Sequence, residues 1–465
     1  MRGISILVLM LVFSGCVQLQ PERDLELVQA EVIARTGYHF AYFNDTSEQA
    51  LLRKHVRDLL RDSLEADEAV QIALANNRQL QAKYEAVGIA QADLVQAGLF
   101  ENPVLGAHVG FPVSADHAPD LAFSVSFNFL DLFHAPLRKR IASSMLEETR
   151  LALTASVMAH TGQVLQAYYD VQAAMQVFDM LSQVSRGAEA AYEAAKLLHD
   201  AGNIPAIDLY AEQAFYEQSR LELLNAEVMV QQQREQLNQL MGIWGSDLMW
   251  KLPPMLPEPD GLLPELDETE QLAIEASIDL ALAAQQIEVY AQKAGLVNAT
   301  SLLPHLELGL DAEREESWEI GPEVEFPLPI FDTGAAKRAR SAAEIRRQQA
   351  HYYALAVNVR AQARLLAQQL RTAYQSVEHI RQVLLPLRSR IASETQGQFN
   401  AMQVGLFQLL AARQQEILAG KQYLDALAQY WTVKTAYDLL LYGKLPASVK
   451  STATNGASAP VERGH

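Results

Sequence analysis

Two distant stretches of the chain place apolar residues at alternating spacings of four and three. The first runs from Val157 to Phe178, and the second runs from Val359 to Ile380, 202 residues later. This spacing is the a/d seam of a left-handed coiled coil. The pattern therefore predicts two long helices that pack against neighbouring helices along one stripe.

The predicted helices are unusually long. They should cover about 137–201 and about 335–404, and each would measure about 100 Å at 1.5 Å per residue. Pro386 should kink or break the second helix, because proline lacks the amide that an interior turn needs. Helices of this length suit a tube or a rod and not a compact domain.

Four short segments alternate apolar and polar residues with a period of two. Such a period predicts strands that have one apolar and one polar face. Each segment has the length of about nine to eleven residues that a tilted strand needs to cross a bilayer. The alternative is a pair of soluble hairpins that pack their apolar faces on helices. The segments lie near 103–112, 120–130, 304–312 and 318–328.

The polar faces of these segments carry four glutamates and no lysine or arginine. Facing a lumen, such carboxylates would favour cations, as charged rings do in channels, and the alternative is hydration without selectivity. His108 and His305 share this face, but the histidines of the chain lack the close pairing that a metal site requires, so no metal site is predicted. The predicted pore-lining residues are His108, Ser124, Ser126, Asn128, His305, Glu307, Glu319, Glu323 and Glu325.

Four strands cannot close a barrel, since even the smallest membrane barrels use about eight. Open sheet edges in lipid would leave backbone groups unpaired. A membrane role therefore requires several copies of the chain. Three copies would supply twelve strands, although strand counting alone also permits two or four copies.

The chain has an internal repeat of about 200 residues. A helix-like stretch at Ala73–Asn77 returns at Ala273–Ser277, and Gly202 and Gly405 are predicted to mark corresponding helix breaks. The predicted organisation is a signal peptide (1–15), an N-terminal segment (16–62), a first repeat (63–245), a proline-rich connector (246–265), a second repeat (266–446) and a disordered tail (447–465).

The N-terminus has the pattern of a secretory signal: a basic start, a short apolar run and small residues before a cleavage point. Cys16 is the only cysteine in the chain, so it cannot form an internal disulfide. Phe13–Cys16 resembles the lipoprotein signal box, which makes Cys16 a candidate lipid acceptor. The alternative is an ordinary signal peptide with an incidental cysteine.

The composition argues against several other functions. The net charge of −19 does not favour nucleic acid, whose partners carry basic patches. The sequence contains no glycine-rich phosphate loop and no nucleophile elbow. We therefore expect no catalytic residues and no cofactor, and we predict that the protein is not an enzyme.

Several stretches resemble the TolC-like outer-membrane efflux proteins, in the same order along the chain. Ala92–Leu99 and Leu385–Pro386 look most like the heavy-metal and RND-efflux branch of that family. The other matching stretches are Ala69–Leu80, Asn102–Pro103, Phe326–Gly334, Val404–Gly405 and Leu409–Arg413.

The resemblance implies a mainly α fold with a small β part, in which two repeats of long coiled-coil helices each carry a β-hairpin. The family forms homotrimers with a twelve-stranded β-barrel in outer-membrane lipid and an α-helical tunnel in the periplasm. Its partners are a periplasmic adaptor and an inner-membrane pump, here of the RND type. Residue 17 is Val and not Asp, which by resemblance directs a lipid-anchored chain to the outer membrane.

By the same resemblance, the chain is the passive exit duct of a tripartite efflux system for small molecules or metal ions. One alternative is the outer-membrane channel of type I protein or peptide secretion. Another alternative is a structural coiled-coil lipoprotein without a pore.

The family also has acidic residues six and nine positions after the glycine of the periplasmic tip. Around Gly202 and Gly405, Asp208 matches one such position, whereas Gln414 and two alanines fill the others. The full carboxylate ring is therefore absent. Asp208 has the alternative interpretation of an ordinary solvated helix residue.

Overall fold

The computed structural model describes residues 21–40, 46–111, 120–259, 261, 265–301, 305–314 and 317–447. Cys16, the predicted signal peptide and nearly all of the predicted tail lie outside these residues. The chain divides into two compact units. The first contains residues 1–44, 77–158 and 278–358, and the second contains residues 45–76, 159–277 and 359–465.

The fold is mainly helical, as predicted. Among the helices that the structure describes, none combines the length and the hydrophobicity that crossing a lipid bilayer requires. The helices are α1 (Pro21–Thr36), α2 (Thr46–Leu59), α3 (Ala66–Asn76), α4 (Arg78–Gly98), α5 (Asp131–Asp200), α6 (Ala206–Met241), α7 (Leu266–Ala276), α8 (Ile278–Thr300), α9 (Ala335–His379), α10 (Leu385–Asn400) and α11 (Leu406–Leu441).

The first unit contains one antiparallel sheet of four strands. Its strands are β1 (Val104–Gly110), β2 (Asp120–Asn128), β3 (Glu307–Arg314) and β4 (Trp318–Glu325). They are hydrogen-bonded in chain order, so β2 joins the two hairpins by pairing with β3. β1 and β4 are therefore the two edges. Pro322 lies in β4, where the missing amide is tolerated because edge strands are the sheet position that accepts proline.

The helices of the first unit form a small core beside the sheet. Val32 and Val87 are fully buried, and the rings of Phe40 and Tyr84 stack with their centroids 4.8 Å apart. Asp24 of α1 forms an ion pair with Arg150 of α5. Apolar burial and ring stacking thus hold the N-terminal segment against α4, and one largely shielded ion pair connects α1 to α5.

The two predicted coiled-coil seams are buried over most of their length. In the second unit, Val164 and Val171 of α5 have no exposed surface, and Leu366 and Leu370 of α9 have 1% each. Phe178, at the end of the first seam, is only half-buried. The period of the pattern therefore identified the packed stripe of each helix but overestimated how far the packing continues.

The second long helix is interrupted as Pro386 predicts. Residues Ile380–Leu384 form a π-helical segment, and Pro386 lies in the first turn of α10. The amide of Leu385 donates to the carbonyl of Ile380, five residues earlier. Because proline has no amide to continue the regular helical hydrogen bonds, the helical turn immediately before it contains one extra residue.

The two helix-to-helix turns correct the predicted correspondence of Gly202 with Gly405. Gly202 donates to the carbonyl of His199, and Met402 donates to the carbonyl of Phe399, in otherwise matching turns 200 residues apart. Gly202 has φ +76° and Met402 has φ +58°, so Met402 is the counterpart of Gly202. The prediction was wrong because it assumed a glycine, whereas the turn requires only a residue with a left-handed backbone conformation.

Candidate functional site: a two-faced sheet

The pairing register carries each face of the sheet across all four strands. Antiparallel partners that lie directly opposite one another point to the same side. The alternating apolar positions within the four strands therefore fall on one side. Its two central rows are Leu105–Val125–Leu310–Pro322 and Ala107–Phe123–Ala312–Ile320.

The apolar face is uncovered by the rest of the described chain. Leu105 and Ile320 are each 75% exposed, and Leu310 is 62% exposed. The alternative of a soluble hairpin packed on a helix requires these side chains to be buried, and they are not. An exposed apolar patch of this kind marks a membrane or protein interface.

The opposite face carries the polar residues that the alternation predicts. Ser124 pairs with Gly106, and Ser126 pairs with Gly309, while His108 lies opposite Ala122. The four predicted glutamates of β3 and β4 lie on the same side. His305 precedes the first residue of β3 and is therefore near this face but outside the strand.

Three acidic residues on this face were not among the predicted pore-lining residues. Asp120 begins β2, and Asp311 and Glu313 lie in the part of β3 beyond the predicted apolar positions. The signal was present, because Ala312 continues the apolar alternation for one more step. Within the described strand residues, this face has no lysine or arginine.

Two pairs of glutamates lie directly opposite one another on this face. Glu307 pairs with Glu325, and Glu313 pairs with Glu319. Like charges in opposite positions destabilise an antiparallel pair. The acidic pairs therefore weaken the β3–β4 hairpin, and their presence indicates a role for this face other than stability.

Glycines leave space for polar side chains on this face. A Cβ atom at Gly106 would lie 2.5 Å from Oγ of Ser124, and one at Gly309 would lie 2.9 Å from the carbonyl oxygen of Val125 and 3.4 Å from Oε2 of Glu323. A side chain at either position would displace its neighbours. The small residues therefore leave the carboxylate of Glu323 free to extend over β3.

Two clusters of ion pairs and hydrogen bonds, one around Asp131 and one around Asp332, connect the helix-proximal ends of the strands to the helices. We call these clusters clasps. The carboxylate of Asp131 is 1% exposed and forms an ion pair with Arg138, and it accepts the amide of Glu101 at 2.9 Å. The hydrogen bond from Arg138 lowers the pKa of Asp131, and the Glu101 amide acts in the same direction. This clasp fixes the direction in which α5 leaves β2.

The clasp after β4 is built differently. Asp332 accepts the amide of Gly334 at 2.8 Å, and Arg338 donates to Oγ of Ser301 at 2.7 Å. Gly334 has φ +73°, and a Cβ there would lie 2.8 Å from the carbonyl oxygen of Ser301. Only glycine therefore allows this close approach of α8 to the start of α9.

The predicted tip residues lie at the ends of the helices of the second unit. Gly202 lies in the connection between α5 and α6, and Asp208 lies in the first helical turn of α6. Gly405 precedes α11 and donates its amide to Oε1 of Gln408 at 2.9 Å, while Gln414 is exposed on α11.

Glu212, one turn beyond Asp208, is a tip residue that the sequence did not single out. It is 3% exposed, and its Oε2 atom has no hydrogen-bond partner among the described residues. Burial raises the pKa of Glu212, and the charge of Asp208 raises it further. Nothing in the local sequence distinguishes it from the exposed glutamates of α6.

Within the described residues, no group of three or more histidine, cysteine, aspartate or glutamate side chains is arranged to hold a metal ion. The chemistry of the site is therefore that of two contrasting surfaces, one apolar and one acidic, on a sheet with two open edges.

The fold is similar to that of solved bacterial membrane proteins, an outer-membrane channel among them. A membrane protein from Pseudomonas aeruginosa has a TM-score of 0.71 at 18% identity, covering 84% of this chain and 92% of that protein. The CmeC outer membrane channel of Campylobacter jejuni has a TM-score of 0.69 at 15% identity, covering 83% of this chain and 87% of the channel.

The sequence comparisons show the same similarity. Residues 69–243 match the family described as "Outer membrane efflux protein". The cobalt-zinc-cadmium resistance protein CzcC of Cupriavidus metallidurans is 23% identical over 392 residues, covering 81% of this chain and 90% of the relative. The resemblance to the outer-membrane efflux family, and the outer-membrane location predicted with it, are confirmed at the level of the family.

Proposed function

We propose that the chain is the outer-membrane channel of a tripartite efflux system. Three copies would join the edge strand β1 of one chain to β4 of the next, which closes a twelve-stranded barrel. The apolar sheet face would contact lipid, the acidic face would line the lumen, and the long helices would form a periplasmic tunnel. A periplasmic adaptor and an inner-membrane pump of the RND type would deliver the cargo.

The observation that carries this proposal is the register of the sheet. Each face continues across all four strands, with Arg314 in the last row of the apolar face as its one charged residue among the described strands. The two edges are unpaired within the described part of the chain. Unpaired backbone groups are not tolerated in lipid. A sheet with this apolar face and two open edges therefore requires neighbouring strands before it can enter a membrane.

The acidic face supports cations as the preferred cargo. Carboxylates repeated around a closed wall would make the lumen negative, and charged rings of this kind favour ions of opposite sign. The name of the relative CzcC refers to resistance to cobalt, zinc and cadmium. We therefore propose that metal cations are among the substances that the duct passes, while the pump selects them.

Planar-bilayer recording of the purified mature protein tests this function. We expect discrete conductance steps and, under a KCl gradient, a reversal potential that indicates preference for cations. Replacing Glu307, Glu319, Glu323 and Glu325 by glutamine should move the reversal potential toward zero while the conductance steps remain. Absence of any conductance would exclude a channel and favour a structural lipoprotein.

A matched control separates the sheet from general surface charge. Glu22, Glu26, Glu268 and Glu394 are exposed and lie on helices, so their replacement by glutamine removes the same charge from positions outside the sheet. This variant should keep the cation preference of the natural protein. Equal shifts in both variants would remove the claim that the acidic sheet face selects cations.

A further inference from the structure

We propose that the bases of α5 and α9 form a binding surface for anionic phospholipid headgroups in the leaflet that faces the helices. This inference rests on the proposed function, because it takes the apolar sheet face as the membrane-facing surface. We call the surface the basic collar. It comprises Arg138, Lys139, Arg140, Lys337, Arg338 and Arg340.

The collar lies immediately beyond the strand ends on one side of the sheet. Asn128 at the end of β2 pairs with Glu307 at the start of β3, which pairs with Glu325 at the end of β4. These strand ends, with the start of β1, therefore meet at one side, from which the chain continues into the helices. Arg138 and Arg338 hold equivalent places there, since each ties the base of its helix to the segment preceding the hairpin.

Exposed apolar side chains separate the strands from the collar. Phe133 is 61% exposed, Leu328 is 68% exposed and Phe331 is 99% exposed. They lie between the strands and the collar along the chain. Girdles of aromatic residues flank the apolar band of membrane barrels at both interfaces, which places the basic residues that follow next to the phosphates.

Part of the positive charge in the collar is not neutralised by any carboxylate that the structure describes. Arg138, Lys337 and Arg340 form ion pairs with Asp131, Asp332 and Glu344. Lys139 and Arg140 are exposed, and neither forms an ion pair with any described carboxylate. The net charge of the whole chain is −19, so this concentration of unpaired cations is contrary to the general composition.

The position of the charges argues for phosphate groups as their partners. The headgroup layer is about 5–7 Å thick on each side of a bilayer. Arg140 and Arg340 lie only two residues beyond the clasp arginines, about 3 Å along the helix. Arginine and lysine near an anionic membrane surface are attracted to its lipids, and the attraction falls off within about a Debye length.

The chain also offers a matched control for this surface. Arg346 and Arg347 are an adjacent exposed basic pair on α9, like Lys139 and Arg140 on α5. They lie at least eight residues, or about 12 Å, farther along the helix than Arg338. That distance exceeds the headgroup layer and the Debye length of about 8 Å at physiological salt.

Native mass spectrometry of the full mature protein tests the inference. The protein, in a neutral detergent, is mixed with equal amounts of phosphatidylglycerol and phosphatidylethanolamine that have identical acyl chains. We expect the natural protein to retain phosphatidylglycerol preferentially. Lys139→Gln with Arg140→Gln should reduce this preference at least threefold, whereas Arg346→Gln with Arg347→Gln should change it less than twofold.

Further variants keep the test decisive. The charge-preserving exchange Lys139→Arg with Arg140→Lys should retain the preference, and Arg340→Gln, on the other helix, should lower it if the first variant does not fold. No preference in the natural protein, or equal losses in both double variants, would overturn the inference. A change of oligomeric mass together with the loss would also overturn it, because the collar would then contact a neighbouring subunit.

The same preparations distinguish the two proposals. Conductance is recorded in bilayers of phosphatidylethanolamine alone, where anionic lipid is absent. Protein that conducts but shows no preference for phosphatidylglycerol contradicts only the lipid-binding surface. Protein that neither inserts nor conducts contradicts the channel itself.

Discussion

The two helix-to-helix turns have the same backbone but different residues. In both turns, three successive amides donate to the carbonyls of the preceding helix end with the same spacing. The first turn satisfies its left-handed position with Gly202, and the second does so with Met402, which is 95% exposed. The hydrogen bonds of the helix end therefore determine the backbone geometry of the turn. The residue in the left-handed position determines only the free energy that this geometry costs.

The two strand-to-helix clasps differ in the opposite way. They serve the same connection, yet Asp131 has a 1% exposed carboxylate, whereas the side chain of Asp332 is 63% exposed. The first clasp depends on a shielded ion pair, and the second depends on the close fit of Gly334 against Ser301. Two halves of one chain can thus reach similar connections through unlike interactions, and substitutions should reveal the difference.

The largest effect should come from the first clasp. Asp131→Ala leaves Arg138 and the amide of Glu101 without their acceptor, which should cost about 2–3 kcal/mol because Arg138 is partly exposed. Asp332→Ala should have a much smaller effect, because water can replace an exposed carboxylate. The free energy of unfolding in detergent, measured by denaturant titration with circular dichroism, checks both, and equal losses would contradict the comparison.

The same clasp predicts a dependence on pH. Because the folded-state pKa of Asp131 is lowered, principally by Arg138, its contribution is fully present above the unfolded pKa of about 3.9. It is lost as the pH falls through the lower folded value. The stability difference between the natural protein and Asp131→Asn should therefore shrink between pH 5 and pH 2.

The next effect concerns position 170 of α5 and position 372 of α9, which are 202 residues apart. Burial raises the pKa of Asp170 to about 6, whereas Thr372 is neutral and exposed. A raised pKa destabilises the folded protein at neutral pH. Asp170→Asn should therefore stabilise by about 1–2 kcal/mol at pH 8, since each pKa unit corresponds to about 1.4 kcal/mol and partial exposure reduces the effect.

The gain from Asp170→Asn has a defined pH window. It should decrease as the pH falls through 6 and should vanish below about 4, where the aspartate is protonated in both states. The glutamine at 166 donates to Asp170 at 2.8 Å and can donate to the asparagine oxygen as well. Thr372→Val serves as the pH-independent control, and a constant gain from pH 8 to pH 4 would contradict the role of ionisation.

The smallest effects should appear in the turns. Gly202→Ala places a Cβ in the left-handed region at a cost of about 1 kcal/mol. Met402→Gly removes that cost, but glycine loses more entropy on folding, so a net gain of about 0.5 kcal/mol is expected. Hydrogen exchange of the amides at 201–203 and 401–403 reports these local changes, and changes of the same sign in both turns would contradict the comparison.

Much of the sheet could be predicted because alternation is a local property of the sequence. The strands lie within the predicted segments except at the end of β3, and the register places the predicted apolar and polar residues on opposite sides. The predicted segment ended at residue 312 and left out Glu313, while Asp311 lay within it but was not assigned to the polar face. Their charge is unfavourable within a sheet, and only the pairing with β2 and β4 shows that they belong to one.

The clasps and the turn correspondence could not be predicted from local patterns. Asp131 combines a partner seven residues later with an amide thirty residues earlier, and neither spacing belongs to a regular element. Met402 occupies a conformation that side-chain-bearing residues rarely adopt, so sequence statistics favour the nearby Gly405 instead. Both features depend on tertiary hydrogen bonds that come into existence only when the segments are already assembled.

In the proposed barrel, the open edges of the sheet would make correct folding a collective property. A chain whose β1 or β4 could no longer pair would deprive its neighbour of a partner as well as itself. Within one cell, a defective copy of the gene would therefore act dominantly, because damaged subunits would be built into assemblies with intact ones. Producing such a copy at the level of the natural protein would suppress transport more strongly than halving the number of intact chains.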